Sequence, residues 1–381
     1  MKANYKKLGE IVELIDEKNK DGKVQTLIGV SIDKCFIKSV ANTIGTDLVN
    51  YQIIRKNDFA CSLMQVSRDG KIPIACLKEY DEAIMSPAYY IFRIKNTDEV
   101  LPEFLSIWFM RSEFDREASF IAVGGVRGSM PWEDFLDMKL PVPDIKEQHK
   151  IVNNYNTITN RIRLLHQINE KLEATAQCLF EKMWNSGDAI ETSLSDLSEL
   201  TSSKRVFFDE YVSEGIPFYR GGEITEKRNG LPISNPLYIT KESYSEKIKK
   251  YGVPKAGDIL LTAVGTIGNS YMVTESDDFY FKDGNLIWFR NFKYNSNYII
   301  YDFLNSKQFK NKIEQISIGS TQTALTISGL SKIKIKIPNN DGLEKYIERS
   351  RIIQSSISYN NAELENLYSL RNVIVSRISG L

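Results

Sequence analysis

The sequence predicts an α+β fold in which two similar mixed α/β domains are separated by two long antiparallel coiled-coil helices. Three observations support this fold class: an internal repeat, strand-like and helix-like runs within each copy, and a long apolar stripe after each copy. A repeat of this period is too long for a solenoid and indicates two whole domains. We therefore predict domains at residues 1–144 and 187–339, and long helices at residues 145–186 and 340–381.

The repeat consists of matching residues at a nearly constant offset along the chain. The matches are Tyr51–Ala60 with Tyr251–Leu260, Phe92 and Arg93 with Phe289 and Arg290, Gly124 with Gly319, and Pro143 with Pro338. The offset falls only from 200 for Asp58 and Asp258 to 195 for the two prolines. The copies are therefore collinear and differ by small changes in loop length.

Within each copy, short strands precede a helix. Strand-like runs rich in Ile, Val, Tyr and Phe include residues 26–32, 89–94 and 258–264. Helical patterns follow at residues 101–110 and 298–304. A glycine-containing loop, a second short helical stretch and a strand ending at Pro143 or Pro338 close each copy.

The pattern after each closing proline is that of a long helix. Apolar or small residues recur at steps of three and four at Ile151, Tyr155, Ile158, Ile162, Leu165, Leu172, Ala176 and Leu179, and again at Ile353, Ile357, Leu364, Leu367, Ile374 and Ile378. Asn169, Asn360 and Arg371 lie at seam positions, where polar residues can fix partner and register. Asp144 is the predicted N-cap of the first helix, with Glu147 in its first turn.

The two stripes most simply pack against each other. The repeat suggests rotational pseudo-symmetry, which makes the packing antiparallel. The alternative is that one or both helices are core helices of their own domains. Stripes of this length exceed those of typical globular helices, which favours the coiled coil.

Composition excludes several classes of protein. The chain has 381 residues, 42% of them hydrophobic, which gives each of two domains enough material for a core. Its 49 basic and 49 acidic residues balance, which counts mildly against a protein that coats nucleic acid by bulk charge. The N-terminus has no apolar signal region, and no run of about 18 apolar residues occurs, so we predict a cytoplasmic protein.

Catalytic and metal-binding motifs are missing from the sequence. There is no phosphate loop, no dinucleotide-binding glycine motif and no histidine-dependent triad. Four cysteines without paired spacing and two histidines predict neither a metal site nor a disulfide framework. We therefore predict that the chain is not an enzyme.

Three strings of residues occur in an order typical of one family. They are Lys255–Leu261 continuing into Gly265–Asn269, Leu140–Gln148 leading into the first long helix, and Ile327–Leu330 before the second closing strand. With the repeat, they resemble the specificity subunits of type I restriction-modification enzymes over nearly the whole chain. The first copy departs at Asn57-Asp58-Phe59, where a glycine-aspartate turn is usual. The second departs at Asn339-Asn340-Asp341, where a proline and a glutamine are usual.

The resemblance implies two target-recognition domains, each reading one half of a bipartite sequence in double-stranded DNA. The coiled coil would set the spacer between the half-sites and dock two methyltransferase (modification) subunits. The family also allows restriction and translocase subunits as further partners. We expect no cofactor on this chain, because S-adenosylmethionine, ATP and Mg are expected on the partner subunits.

The candidate DNA-binding residues lie in turns and carry groups suited to base edges or phosphates. In the first copy they are Gln65, Arg68, Lys71 and Arg127, and in the second they are Thr266, Asn269 and Gln322, with Tyr219, Arg220, Lys227 and Arg228 as a basic edge suited to phosphates. Because the two sets differ, the two domains are expected to read different half-sites.

Two other functions fit the same pattern. One is an orphan DNA-binding regulator of the same architecture that acts alone. The other is a coiled-coil scaffold with two protein-binding domains. The neutral net charge slightly favours the scaffold, whereas the loops rich in Gln, Arg and Asn favour DNA.

Overall fold

A computed structural model describes residues 4–39, 48–124, 128–187, 189–317 and 324–378. The chain divides into two compact units. The first unit comprises Met1–Asn160 with Ser369–Leu381, and the second comprises Arg161–Tyr368. Each unit therefore contains one copy of the repeat and parts of both long helices.

The first unit is built on a central antiparallel sheet. Its strands in the described ranges are β1 (Asn4–Lys7), β2 (Val12–Ile15), β3 (Ile28–Val30), β4 (Phe36–Lys38), β5 (Gln52–Arg55), β6 (Phe59–Cys61), β7 (Ile74–Cys76), β8 (Glu82–Met85), β9 (Tyr90–Ile94) and β10 (Lys139–Val142). Its helices are α1 (Leu8–Ile11), α2 (Val66–Asp69), α3 (Pro102–Phe109), α4 (Ser112–Ile121), α5 (Trp132–Asp137) and the first part of α6 (Ile145–Trp184). The central sheet has the order β2-β9-β6-β7, and the pairs β1 with β10, β3 with β4 and β5 with β8 are also antiparallel.

An aromatic core packs between this sheet and the helices that follow it. Phe59 of β6 stacks on Phe92 of β9, with ring centroids 5.3 Å apart. Phe109 of α3 meets both rings edge-on, at 5.8 and 6.4 Å. Burying each of these rings stabilises the unit by about 2 to 3 kcal/mol. The predicted helix at residues 101–110 is thus α3, held on the sheet by its apolar face.

The second unit repeats this frame and adds to it. Its strands are β11 (Ile190–Ser193), β12 (Glu199–Thr201), β13 (Tyr211–Val212), β14 (Ile216–Tyr219), β15 (Leu237–Ile239), β16 (Ile259–Thr262), β17 (Ser270–Met272), β18 (Tyr280–Phe281), β19 (Leu286–Arg290) and β20 (Lys334–Ile337). Its helices, besides the last part of α6, are α7 (Leu194–Leu197), α8 (Gly221–Arg228), α9 (Lys241–Tyr251), α10 (Asn297–Leu304), α11 (Lys307–Ser317), α12 (Ile327–Ser331) and α13 (Asn340–Arg377), whose end lies in the first unit. The sheet β12-β19-β16-β17 has the topology of β2-β9-β6-β7, and β11 pairs with β20 as β1 does with β10. The addition is a second sheet of order β13-β15-β14-β18, in which β14 and β18 are parallel.

The turn that precedes β6 and β16 is nearly identical in the two units. Asp58 and Asp258 each accept a hydrogen bond from the backbone N–H three residues earlier, at 3.0 and 2.9 Å. Asn57 has a φ of 70° and Gly257 a φ of 88°, so both adopt left-handed conformations. Asparagine tolerates this region better than most residues that have a Cβ. The first copy therefore departs from the family pattern in sequence while keeping the turn.

Both long helices begin at a side-chain cap. The Asp144 carboxylate accepts the backbone N–H of Glu147 at 2.9 Å, which confirms the predicted cap of α6. At the equivalent place before α13, the Asn339 side chain accepts the backbone N–H of Gly342 at 3.0 Å. The asparagine that departs from the family pattern thus supplies the cap of the second helix.

The long helices pack antiparallel, as predicted. In the first unit, Val152 near the start of α6 shares a hydrophobic core with Ile378, just beyond the end of α13. In the second unit, Phe180 and Met183 near the end of α6 share a core with Leu343 and Tyr346 near the start of α13. The ends of each helix are therefore also part of a domain core, so the alternative interpretation holds for those ends.

Several helices were not predicted from the sequence. Helix α8 starts with two glycines, Gly221 and Gly222, which have low helix propensity. Helix α9 has only Tyr244, Ile248 and Tyr251 as apolar positions at helical spacing, and none of its side chains is fully buried. Its N-cap is Thr240, whose side chain accepts the backbone N–H of Ser243 at 3.1 Å.

A buried carboxylate joins α10 to both long helices in the second unit. The Asp302 side chain accepts hydrogen bonds from Tyr346 Oη at 2.6 Å, Ser350 Oγ at 2.7 Å and Gln354 Nε2 at 3.1 Å. These three donors recur every four residues, on one face of α13. The Asp302 carbonyl accepts Gln177 Nε2 of α6 at 3.1 Å. Burial raises the pKa of Asp302 to about 6, although its three donors oppose the shift.

Replacing Asp302 with Asn should change the pH dependence of stability. The folded wild type holds its proton up to about pH 6, above the ordinary value of 3.8, so this group's contribution to stability falls as pH rises from about 4 through 6. An amide does not titrate in this range. The free energy of unfolding of Asp302→Asn, relative to wild type, should therefore increase by about 2 kcal/mol between pH 4.5 and pH 7.5.

Urea denaturation at several pH values measures this difference. The exposed Asp209→Asn serves as a matched control, because it removes a carboxylate that is in water in both states. A difference between Asp302→Asn and wild type that stays constant with pH would contradict the expected titration of Asp302.

Candidate nucleic-acid interface

Each unit carries a surface loop beside its central strands, and the two loops lie at equivalent places in the repeat. We call residues 62–73, between β6 and β7, the first loop, and residues 263–269, between β16 and β17, the second loop. The Met130 N–H donates to the Leu63 carbonyl at 2.9 Å, and the Leu325 N–H donates to the Ala263 carbonyl at 3.0 Å. Met130, which follows α4, and Leu325, which follows α11, therefore each lie alongside the loop of their own unit.

Three of the first unit's predicted residues lie together on the first loop. Gln65 precedes α2 with a left-handed φ of 64°, Arg68 lies within α2 and Lys71 follows it, and all three are exposed. Buried Val66 anchors the short helix to the core. Arg68 Nε donates to Asp69 at 2.7 Å, but Arg68 is 65% exposed, so this pair holds the guanidinium only weakly.

Gly128, the first described residue after Arg127, contacts the first loop. Gly128 lies directly against Ser67 of α2, since a Cβ on Gly128 would be 2.2 Å from Ser67 Oγ. Arg127 itself lies outside the described residues, as does Gln322 in the second unit. Their predicted roles stay predictions.

A buried ion pair between Lys34 and Asp115 supports the end of the first loop. Lys34 Nζ lies 2.8 Å from both carboxylate oxygens of Asp115 on α4, and Asp115 also accepts the backbone N–H of Ile72 at 3.3 Å. Burial lowers the pKa of Lys34, which the Asp115 carboxylate opposes. Because a buried pair is costly to break, this contact fixes the end of the first loop on α4.

The second loop brings Thr266 and Asn269 together beside α8. Asn269 Nδ2 donates to Thr225 Oγ1 of α8 at 3.0 Å, and Thr266 Oγ1 lies 3.4 Å from the same atom. Inside the loop, Thr262 Oγ1 accepts the backbone N–H of Asn269 at 2.9 Å. Thr266 is exposed, whereas Asn269 is half-buried and already uses its amide to position α8.

Tyr219 and Arg220 lie where β14 leads into α8. The Tyr219 ring packs against Phe279 with centroids 4.7 Å apart, and burial raises its pKa. Arg220 Nε lies 3.1 and 3.2 Å from the carboxylate oxygens of Glu223, a buried residue of α8. The Arg220 guanidinium is thus partly neutralised within its own unit.

Lys227 and Arg228 lie at the opposite end of α8. Lys227 Nζ is 3.0 Å from Asp277 and 3.2 Å from Glu365 of α13, with only 16% of its side chain exposed. Burial opposes its charge, but the two carboxylates raise the pKa of Lys227 overall. Arg228 lies 3.8 Å from Glu173 of α6. Both charges are thus already paired within the second unit. The phosphate contacts predicted for the two residues stay predictions.

The structure adds exposed apolar residues that the sequence analysis missed. Met64 is 56% exposed on the first loop, and Val264 is 44% exposed at the equivalent position of the second loop. Phe120 and Val123, at the end of α4, are 80% and 75% exposed. The repeat offset of 200 could have revealed Met64 and Val264, because both copies place an apolar residue in a turn. Apolar side chains of this kind can contact the thymine methyl group in the major groove.

The described part of the chain shows neither a metal site nor a membrane span. No group of three or more His, Cys, Asp or Glu residues in the described ranges is arranged to hold a metal ion. Within the same ranges, none of the helices combines the length and apolar character needed to cross a membrane.

The geometry defines a two-domain protein whose domains share one frame, each with a surface loop at the equivalent place. A family model for the type I restriction modification DNA specificity domain matches the chain twice, over residues 2–174 and 188–356. The chain therefore belongs to the type I restriction-modification DNA specificity family, as the sequence motifs predicted. Specificity subunits of this family are non-catalytic DNA-recognition subunits.

Two curated relatives match parts of the chain. A Haemophilus influenzae protein described as a type I restriction enzyme specificity subunit, S.HindORF215P, is 33% identical over 147 residues, which is 38% of this chain and 35% of the relative. The MjaVIII type I restriction enzyme specificity subunit of Methanocaldococcus jannaschii is 22% identical over 266 residues, which is 64% of this chain and 61% of the relative. The chain thus spans between about a third and about three fifths of the length of these curated relatives.

One solved structure has the same fold over nearly the full length. It is the crystal structure of the type I restriction-modification system S subunit from M. genitalium, with a TM-score of 0.60 and 15% identity. The likeness covers 99% of this chain and 96% of that chain. At this identity it supports the two-domain fold with long helices and carries no further conclusion.

Proposed function

We propose that this chain is the DNA specificity subunit of a type I restriction-modification complex. Each unit reads one half of a bipartite site in the major groove, and the chain itself performs no catalysis. The observation that carries this proposal is the pair of equivalent backbone contacts, Met130 to Leu63 and Leu325 to Ala263. They support equivalent surface loops in the two domains, as a protein with two reading sites requires.

Different side chains on the same frame account for two different half-sites. The first loop offers an amide, a guanidinium and an ammonium group at Gln65, Arg68 and Lys71. These groups suit adenine and guanine edges, which present paired acceptors or an acceptor and a donor in the major groove. The second loop offers the hydroxyl of Thr266 and the apolar Val264, which suit a smaller polar contact and a thymine methyl group.

The long helices have surfaces suited to protein partners. In the second unit, α6 and α13 form an open apolar cavity of about 590 Å³, whose lining includes Cys178, Ile352 and Ile353. Ile352 is 58% exposed. At the repeat offset of 195, Thr175 and Cys178 correspond to Leu370 and Val373 in the first unit, which are 53% and 42% exposed. Exposed apolar side chains on the long helices of both units fit the docking of two methyltransferase (modification) subunits.

The same proposal assigns the chemistry to the partners. The modification subunits would use S-adenosylmethionine, and restriction or translocase subunits would use ATP and Mg. In this arrangement the helices also set the spacer between the half-sites. Because the basic and acidic residues of this chain balance, the partners would supply much of the nonspecific attraction for phosphates.

Replacing one loop residue should alter the reading of one half-site only. In the complete complex, Arg68→Ala should weaken discrimination at one base of the first unit's half-site by roughly 10- to 100-fold. Thr266→Ala should weaken discrimination, by a smaller factor, in the other half-site. Sequencing methylated adenines in a randomised DNA library measures both half-sites at once.

Lys23→Ala is the control, since Lys23 has an 82% exposed side chain in the segment between β2 and β3, outside both loop sequences. Equal weakening of both half-sites by Arg68→Ala would contradict separate reading. Sequence-specific binding by the isolated chain would favour the orphan regulator, and an absence of any sequence preference in the complex would favour the scaffold.

Charged substitutions on the two helix surfaces should each remove one modification subunit. Ile352→Asp places a carboxylate at the cavity of the second unit, and Leu370→Asp does so at the equivalent surface of the first. Native mass spectrometry of the co-expressed complex should show one modification subunit for each single variant and none for the double variant. The control is Phe208→Asp, at an 89% exposed apolar residue outside the long helices. Two modification subunits on the double variant would contradict this docking model.

A further inference from the structure

Helix α8 contacts the second loop at its beginning. Thr225 Oγ1 accepts Asn269 Nδ2 at 3.0 Å, and Gly221 lies against Thr262 at the end of β16. Ile224 is fully buried against the sheet that carries the loop. Helix α8 and the second loop are therefore packed together.

The end of α8 contacts long helix α13. The helix ends at Arg228, and the turn that closes it passes through Gly230, which has a left-handed φ of 62°. In this turn the Gly230 N–H donates to the Lys227 carbonyl and the Leu231 N–H to the Glu226 carbonyl. Asn361 Nδ2 of α13 donates to the Arg228 carbonyl at 3.1 Å. Carbonyls at a helix end have no partner within the helix, so a side chain of α13 supplies one here.

No space separates the end of α8 from α13. A Cβ on Gly230 would lie 2.9 Å from both Asn361 Oδ1 and Leu364 Cδ1. The Lys227 pair with Glu365 and the Arg228 pair with Glu173 connect the same end of α8 to α13 and α6 respectively. Any shift of the long helices at this level must therefore displace α8.

Asn361 is also part of the seam between the long helices. Asn169 Nδ2 of α6 donates to Asn361 Oδ1 at 2.8 Å, and Asn360 Nδ2 donates to Asn169 Oδ1 at 2.7 Å. Changing the register by one turn would remove each of these partners. The predicted role of Asn169 and Asn360 in fixing register thus has a structural basis, and Asn361 extends it to the recognition domain.

The first unit is built differently at the corresponding loop. There α2 lies within the loop itself, and its end is fixed on α4 through Asp115 and Ile72. Helix α2 has only four residues and lies inside the loop, so it is not the counterpart of α8, which lies outside the second loop. Coupling between loop and long helices through such a helix is therefore a property of the second unit.

Building on the proposed function, we propose that α8 transmits the position of the long helices to the second loop, and that Asn361 is a positioning residue for reading the second half-site. Asn361 does not touch DNA in this proposal. It fixes the end of α8, and α8 fixes Thr266 and Val264 on the loop. Reading of the second half-site then depends on the contact of Asn361 with the end of α8, whereas reading of the first half-site does not.

Asn361→Leu tests the proposal in the complete complex with its modification subunits. The variant removes the donor to Arg228 and the acceptor for Asn169, and an apolar residue in the seam offsets part of the cost of the unpaired Asn169 amide. We expect discrimination in the second half-site to fall roughly ten-fold, with the first half-site unchanged and the melting temperature lowered by only a few degrees, about that expected for one lost hydrogen bond. Methylated-adenine sequencing and thermal denaturation measure these quantities.

Two further variants sharpen the test. Gly230→Ala disturbs the same contact from the α8 side and should give the same one-sided loss. Asn366→Leu is the matched control, because Asn366 is exposed and its amide donates to Ala362 of its own helix at 3.1 Å. It should leave both half-sites unchanged.

The outcomes separate this inference from the proposed function. Unchanged reading in both Asn361→Leu and Gly230→Ala, or equal loss at both half-sites, would overturn the role of α8 while leaving the specificity function intact. A wild-type complex that methylates DNA without any bipartite sequence preference would overturn the specificity function, and this inference with it.

Discussion

The packing of the two long helices against each other is the constraint on which the rest of the structure depends. Neither unit completes its hydrophobic core from its own copy of the repeat. The first core includes Val152 and Ile378, and the second includes Phe180 and Tyr346, so each unit takes one end of each helix. Because protein cores are close-packed, a domain that shares its core with a helix cannot rotate freely about that helix. The helix pairing therefore fixes each recognition surface with respect to the segments of helix in its own unit.

Polar contacts turn this packing into a single arrangement. An apolar seam alone tolerates several registers, since one apolar side chain can replace another at the next turn. The Asn169, Asn360 and Asn361 network and the Asp302 cluster tolerate only one, because each buried polar atom must keep its partner. Such groups contribute little net stability, and burial of the Asp302 carboxylate opposes its ionisation. In a protein that must position two surfaces, such groups would serve to select one register of the long helices.

Much of the frame could be predicted from sequence, because periodic patterns report on local structure. The repeat, the apolar stripes and the cap at Asp144 all depend on residues close together in the chain. The environment of Lys227 could not be predicted in this way, since Asp277 and Glu365 lie far along the chain and meet it only after folding. Helix α8, which carries Lys227, was not predicted because it begins with two glycines. Asn57 shows the opposite case: a change in sequence that is conspicuous in the family pattern leaves the backbone turn intact.

The presence of Ile378 in the first unit's core has a consequence for synthesis on the ribosome. Leu8 and Val152 belong to the same core but emerge more than two hundred residues earlier. At translation rates of about 5 to 20 residues per second, the surface that Ile378 covers stays open for roughly 10 to 45 seconds. The core of the second unit is complete once Leu343 and Tyr346 of α13 have emerged, which is before Ile378 does. The first unit is thus completed after the second, and a chain truncated before Ile378 would lack part of the first unit's core.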